Sequence, residues 1–184
     1  MGQATPPPEL SSRLATIDDV PRLRELMNEA IAVLQAPYLT PEQVASSRAI
    51  MGVDLQLIHD GTYFVIECDG EIAGCGGWSR RATLYGNDET PRRDAALLDP
   101  KTQPAKVRAM YTDPRFTRRG VGRLILSLCE SAAAAEGYRE LELMATLSGH
   151  PLYRSFGFTD VEQVTDDAGG APVPLVRMRK PIET

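Results

Sequence analysis

The sequence predicts an α/β (α+β) protein: one mixed layer structure in a single domain. Three observations carry this. One long helix has a continuous apolar stripe, a hairpin signal centres on Asp69-Gly70, and strand-type runs flank that helix on both sides.

Taken in order, Met1–Ser11 reads as a flexible leader, because Pro6, Pro7 and Pro8 favour an extended chain. Ser12–Ala15 reads as a short strand. The apolar spacing of Leu23, Leu26, Met27, Ala30 and Ile31 predicts a helix over 20–32. Thr40-Pro41 supplies an N-cap and a first helical residue for a second helix through Met51. Two β-type runs around Asp69-Gly70 predict a hairpin. Residues 79–105 are charged and proline-containing, with little periodicity, and read as a long inserted loop, either a solvated insertion or a functional lid. Lys106–Thr112 is a strand. In the helix of residues 120–137, Val121, Leu124, Ile125, Leu128, Cys129, Ala132 and Ala133 form one face. A strand over 140–145, a short helix over 151–156 and strands near 158–164 and 173–179 complete the domain, which spans 12–184.

Composition narrows the function classes. The 184 residues carry a net charge of −5, which argues against nucleic acid and anionic membranes as partners. There is no basic, apolar leader of the secretory type, and no apolar run reaches the length of a membrane span. A cytoplasmic location is expected. The three cysteines form no CxxC pair and there are only two histidines, so buried free thiols and no metal are expected.

The charge is segregated. Thr112–Leu124 holds Arg115, Arg118, Arg119 and Arg123 against Asp113 alone, a local balance of +3 that leaves −8 elsewhere. Gly120 and Gly122 open the long helix in the same stretch. A helix start offers unpaired N–H groups, glycines let a ligand approach the backbone, and arginines add charge-assisted hydrogen bonds. A diphosphate would fit there; the alternative is an ordinary glycine-containing helix start with solvated arginines. No Walker lysine follows. A dinucleotide fold survives only weakly, since Ile125 stands where its third glycine belongs, although Glu142 lies at the ribose-binding distance.

Thr117-Arg118-Arg119-Gly120-Val121-Gly122 resembles the pyrophosphate loop of the GNAT superfamily of N-acetyltransferases. Leu152-Tyr153-Arg154-Ser155-Phe156-Gly157-Phe158 resembles that family's C-terminal Phe-Tyr-x-x-x-Gly-Phe. The element order agrees from Ser12 to Arg179. Thr117 departs from the usual Arg or Gln, and Thr146 stands where Asn is frequent.

The resemblance implies a mostly antiparallel sheet with helices on both faces and two central strands that splay apart. It implies acetyl-CoA as co-substrate, its pyrophosphate on Arg118, Arg119, Gly120, Val121, Gly122 and Arg123. The pantetheine would lie on the strand edge at Met110, Tyr111 and Thr112, with Thr146 and Tyr153 completing the site. A backbone N–H near Tyr111 would stabilise the oxyanion, and Tyr153 would protonate the departing thiolate. The general base stays open among Glu67, Asp94, Asp99 and a water chain. The acceptor is a small-molecule or peptide amine of unassigned identity, and homodimerisation is left open. A non-catalytic acyl-CoA-binding module of the same fold is the alternative. Trp78 and Tyr85 either line an acceptor pocket or pack the hairpin end.

Overall fold

The computed structural model describes residues 8–90 and 93–183. Seven strands form one sheet in the order β1-β2-β3-β4-β5-β7-β6. They are β1 (Leu10–Leu14), β2 (Tyr63–Cys68), β3 (Glu71–Ser79), β4 (Ala105–Thr112), β5 (Glu140–Thr146), β6 (Thr159–Asp166) and β7 (Val173–Pro181). The helices are α1 (Val20–Leu34), α2 (Pro41–Ser47), α3 (Leu55–His59), α4 (Val121–Ala135) and α5 (His150–Phe156). None of these is long and apolar enough to cross a membrane.

The expected mixed, mostly antiparallel sheet is present, and its splay can be located. Every neighbouring pair is antiparallel except β4 and β5. Those two run parallel and pair only at Ala105–Leu141 and Lys106–Glu142. Beyond that point β4 has β3 on one edge and no strand on the other. Parallel strands that separate after two pairs leave backbone N–H and C=O groups facing a gap.

Each sheet face has its own core. On one face α4 buries Val121, Ile125, Leu126, Cys129 and Ala133 against Val107, Leu141 and Met178. On the other, α1 buries Leu23, Leu26, Met27, Ala30 and Ile31 against Val65, Cys75 and Tyr111. Two glycines of β3 set the height of α4. A Cβ on Gly76 would lie 2.7 Å from Ile125, and one on Gly74 would collide with Val121. The hairpin turns where expected, with positive φ at Asp69 (51°) and Gly70 (82°). All three cysteines are buried and free.

Several boundaries differ from expectation. Leu10 and Ser11 pair with Cys68 and Glu67, so β1 claims the last two residues assigned to the leader, whose residues 1–7 lie outside those described. The second helix stops at Ser47 instead of Met51, and the five-residue α3 is an addition. The first hairpin strand begins at Tyr63, where its apolar run opens.

The described parts of the inserted loop are tied to each other and to the domain. Arg81 pairs with Asp60 at 2.8 Å and bridges to Leu97, while the Thr83 hydroxyl donates to the Asp94 carbonyl at 2.6 Å. The buried Arg108 of β4 donates to the Gly86 carbonyl at 3.0 Å and to Asp54 at 2.8 Å. Trp78 is buried edge-on against Tyr138, with ring centres 5.8 Å apart, which decides for packing.

Candidate active site

The gap between β4 and β5 opens into a cleft of about 690 Å³. One end is the start of α4. Arg118 (φ 60°) and Gly120 (φ 85°) both take left-handed conformations, and no described side chain caps the helix. The N–H groups of its first turn therefore keep the positive end of the helix dipole open. Gly122 serves packing as well, since a Cβ there would meet Leu152 of α5 at 2.5 Å. Arg118 and Arg123 line the cleft beside these glycines.

The free edge of β4 forms the next wall, with Met110, Tyr111 and Thr112 lining the cleft. Asp113 N–H donates to the Ala73 carbonyl at 2.9 Å. Strand N–H groups alternate in direction, so Tyr111 N–H also points to β3, opposite Cys75, while those of Met110 and Thr112 point toward the gap. By this alternation the donor expected near Tyr111 would be the N–H of Met110 or Thr112, and not that of Tyr111. Its side chain faces the α1 core, and its hydroxyl accepts a hydrogen bond from Gly52 N–H at 2.8 Å. Burial pushes the Tyr111 hydroxyl pKa well up, so it is a neutral structural group. A bulge in β4 precedes this edge. Ala109 has φ 50°, and its carbonyl is held by the Tyr63 hydroxyl at 2.7 Å.

The far end is built by α5. Thr146 Oγ1 accepts from Gly149 N–H at 3.2 Å and contacts the Ser148 hydroxyl at 3.1 Å, which fixes the turn into the helix. A Cβ on Gly149 would lie 2.8 Å from the Tyr153 ring, so the glycine makes room for that ring. Tyr153 packs edge-on against Phe158 at 6.1 Å. Burial pushes its hydroxyl up to about 12, so the group holds its proton at neutral pH. Tyr153, Met51, Met110, Tyr111 and Thr146 also border a second, smaller chamber of about 80 Å³ that reaches Tyr85 and Arg108. Tyr85 thus lines a pocket, and its hydroxyl donates to Asp166 at 2.7 Å.

The match to known proteins now has a geometry to sit on. The acetyltransferase (GNAT) domain family matches residues 59–160, more than half the chain and the stretch that carries β4, the α4 start and Tyr153. The chain belongs to the GNAT acetyltransferase family. Among curated proteins, none matches it by sequence. Similar solved structures share the fold over nearly the whole chain. A GCN5-related N-acetyltransferase from Rhodopseudomonas palustris is 16% identical, with TM-score 0.69, covering 98% of this chain and 99% of that one. A Thermoplasma acidophilum PaiA N-acetyltransferase in complex with coenzyme A is 15% identical, with TM-score 0.62 and coverage of 94% and 99%. The Salmonella typhimurium protein yncA, solved with its cofactor acetyl-CoA, is 20% identical, with TM-score 0.61 and coverage of 95% and 94%.

Within this GNAT domain the cleft collects Met110, Tyr111, Thr112, Arg118, Gly120, Val121, Gly122, Arg123, Thr146 and Tyr153. Arg119 is the exception. It does not line the cleft, and its guanidinium lies over the Phe116 ring at 5.3 Å. The carboxylates weighed as bases are engaged elsewhere. Glu67 binds Arg13 at 3.1 Å, Asp94 accepts from Ala96 N–H, and Asp99 accepts from Lys101 N–H. Among the described residues no carboxylate lines the cleft. Sequence reading missed Gln35 and Met51, which join the cleft from the residue that caps α1 and from the segment after α2.

Proposed function

We propose that this chain is an acetyl-CoA-dependent N-acetyltransferase whose acceptor, a small-molecule or peptide amine, attacks the thioester directly. The observation that carries the reading is the continuity of one cleft, from the uncapped start of α4, along the unpaired edge of β4, to Tyr153. The N–H groups of residues 118–123, with Arg118 and Arg123, would hold the pyrophosphate. The β4 edge at Met110 and Thr112 would pair with the pantetheine, in the manner of strand addition. One of these N–H groups would take the oxyanion charge as the carbonyl becomes tetrahedral. The acceptor nitrogen forms the new C–N bond, the C–S bond breaks, and Tyr153 gives its proton to the sulfur. The proton lost by the amine passes to water, because no described carboxylate borders the cleft.

The test is Tyr153→Phe, assayed by thiol release. We expect kcat to fall by about 100-fold, the scale of general-acid catalysis, with acetyl-CoA affinity held within about twofold by calorimetry. An unchanged kcat removes the acid role. The pH profile adds a second check. The Tyr153 hydroxyl is held up at about 12, so the proton donor remains loaded through pH 10. An alkaline fall in kcat that is centred at pH 10 and vanishes in Tyr153→Phe would contradict that environment.

A further inference from the structure

The α1 side of the cleft carries a polar group that the acetyl-transfer reading does not use. Gln35 is 2% exposed and lines the cleft. Its Nε2 reaches only the Met51 sulfur, at 3.4 Å, and its Oε1 is buried with no hydrogen-bond partner among the described residues. A buried carbonyl without a donor carries a free-energy cost until a donor arrives, and such groups are rare in folded proteins. Gln35 borders the cleft, so a turn of its amide toward that space would bring Oε1 to a donor held there. The neighbours define what would bring it. Ile31, Leu34 and Met51 are apolar, and Tyr38 presents a half-exposed ring at the mouth.

The charges point the same way. No described carboxylate is present to pair with an ammonium group or a polycation, and the cleft's charged side chains, Arg118 and Arg123, are taken up by the proposed pyrophosphate site. A free carboxylate finds no open cation on this side either. Arg108 of the adjoining chamber is already held by Asp54 at 2.8 Å and the Gly86 carbonyl at 3.0 Å.

From this geometry we propose that the acceptor is a primary amine on an uncharged apolar or aryl body, with its N–H donating to Gln35 Oε1. The proposal rests on the acetyltransferase reading and deepens it. The amine binds neutral, its body lies on Ile31, Leu34 and Tyr38, and Gln35 fixes the nitrogen while Met51 packs the amide.

Three probes separate the classes: phenethylamine, phenylalanine (the same body with a carboxylate) and spermidine (a polycation). We expect kcat/KM for phenethylamine to exceed both others by at least about tenfold, the discrimination that unpaired polar groups impose. Gln35→Leu should lower kcat/KM for phenethylamine about tenfold, the scale of one buried hydrogen bond, and leave acetyl-CoA affinity unchanged by calorimetry. If Gln35→Leu does not fold, as read by circular dichroism, Gln35→Met keeps the side-chain length and makes the same test. A preference for phenylalanine or spermidine overturns the substrate class. An equal loss of acetyl-CoA affinity in the variant overturns the role of Gln35, because the carbonyl would then serve the pantetheine. Failure to bind acetyl-CoA, or to release thiol with any amine, would instead bring down the acetyltransferase reading and this inference with it.

Discussion

The starts of α2 and α4 show two uses of the same helix physics. At α2 the chain satisfies its own orphan groups. Thr40 Oγ1 accepts from Gln43 N–H at 3.2 Å, Gln43 Oε1 accepts from Thr40 N–H at 2.9 Å, and Pro41 has no N–H to leave unpaired. At α4 the cap position is a left-handed glycine, no described side chain reaches the first turn, and Arg118 and Arg123 stand beside it. The first helix start is capped by its own side chains, and the second leaves its N–H groups open to the pyrophosphate proposed above. Gly120 also leaves space open, since a Cβ at that position would have nothing within 4 Å.

The largest break in this contrast is Gly120→Asp. The left-handed φ of 85° is one that aspartate tolerates better than most residues, and the open space receives the side chain. The carboxylate then occupies the dipole end that a phosphate would use. We expect acetyl-CoA affinity to fall about 30-fold, roughly 2 kcal/mol, with the thermal midpoint of the free protein little changed. An unchanged affinity would move the anion site away from α4. Thr40→Ala is the reciprocal change. Loss of that cap should cost about 1 kcal/mol in chemical denaturation and leave acetyl-CoA affinity alone. If affinity moved with stability, the two helix starts would not be independent.

What the sequence made legible follows from range. The α4 stripe, the Asp69-Gly70 turn and the glycine-arginine loop are local patterns, and each lies where its own residues imply. The splay between β4 and β5 entered through family resemblance, because strand pairing is not written in either strand alone. What escaped depends on distant partners. α3 is a five-residue helix, too short to show a period, and its cap Asp54 gains meaning only with Arg93 and Arg108, at 2.7 and 2.8 Å. The β4 bulge rests on Tyr63, 46 residues away in sequence. The alternation that turns Tyr111 N–H away from the gap depends on that register. Gln35 reads in the sequence as an ordinary polar residue after a helix, and only the packing of Met51 against it reveals a buried amide.

The smallest effect concerns Arg119, which the sequence grouped with its neighbours and the structure sets apart. Its guanidinium lies over Phe116 and outside the cleft, whereas Arg118 and Arg123 line it. We therefore expect Arg119 to act on a bound phosphate through its field, without a direct hydrogen bond. Field effects near a surface are screened over about 8 Å at physiological salt and about 3 Å at 1 M. Arg119→Ala should weaken acetyl-CoA binding only about two- to threefold at low salt, and that difference should disappear at 1 M salt. Arg123→Ala should weaken it more and retain part of its effect at high salt, because a short charge-assisted hydrogen bond is less screened than a distant charge. Calorimetry on both variants at two salt concentrations measures this. A tenfold, salt-resistant loss in Arg119→Ala would mean that the side chain leaves Phe116 to grip the phosphate, and the open helix start would then have three arginine partners instead of two.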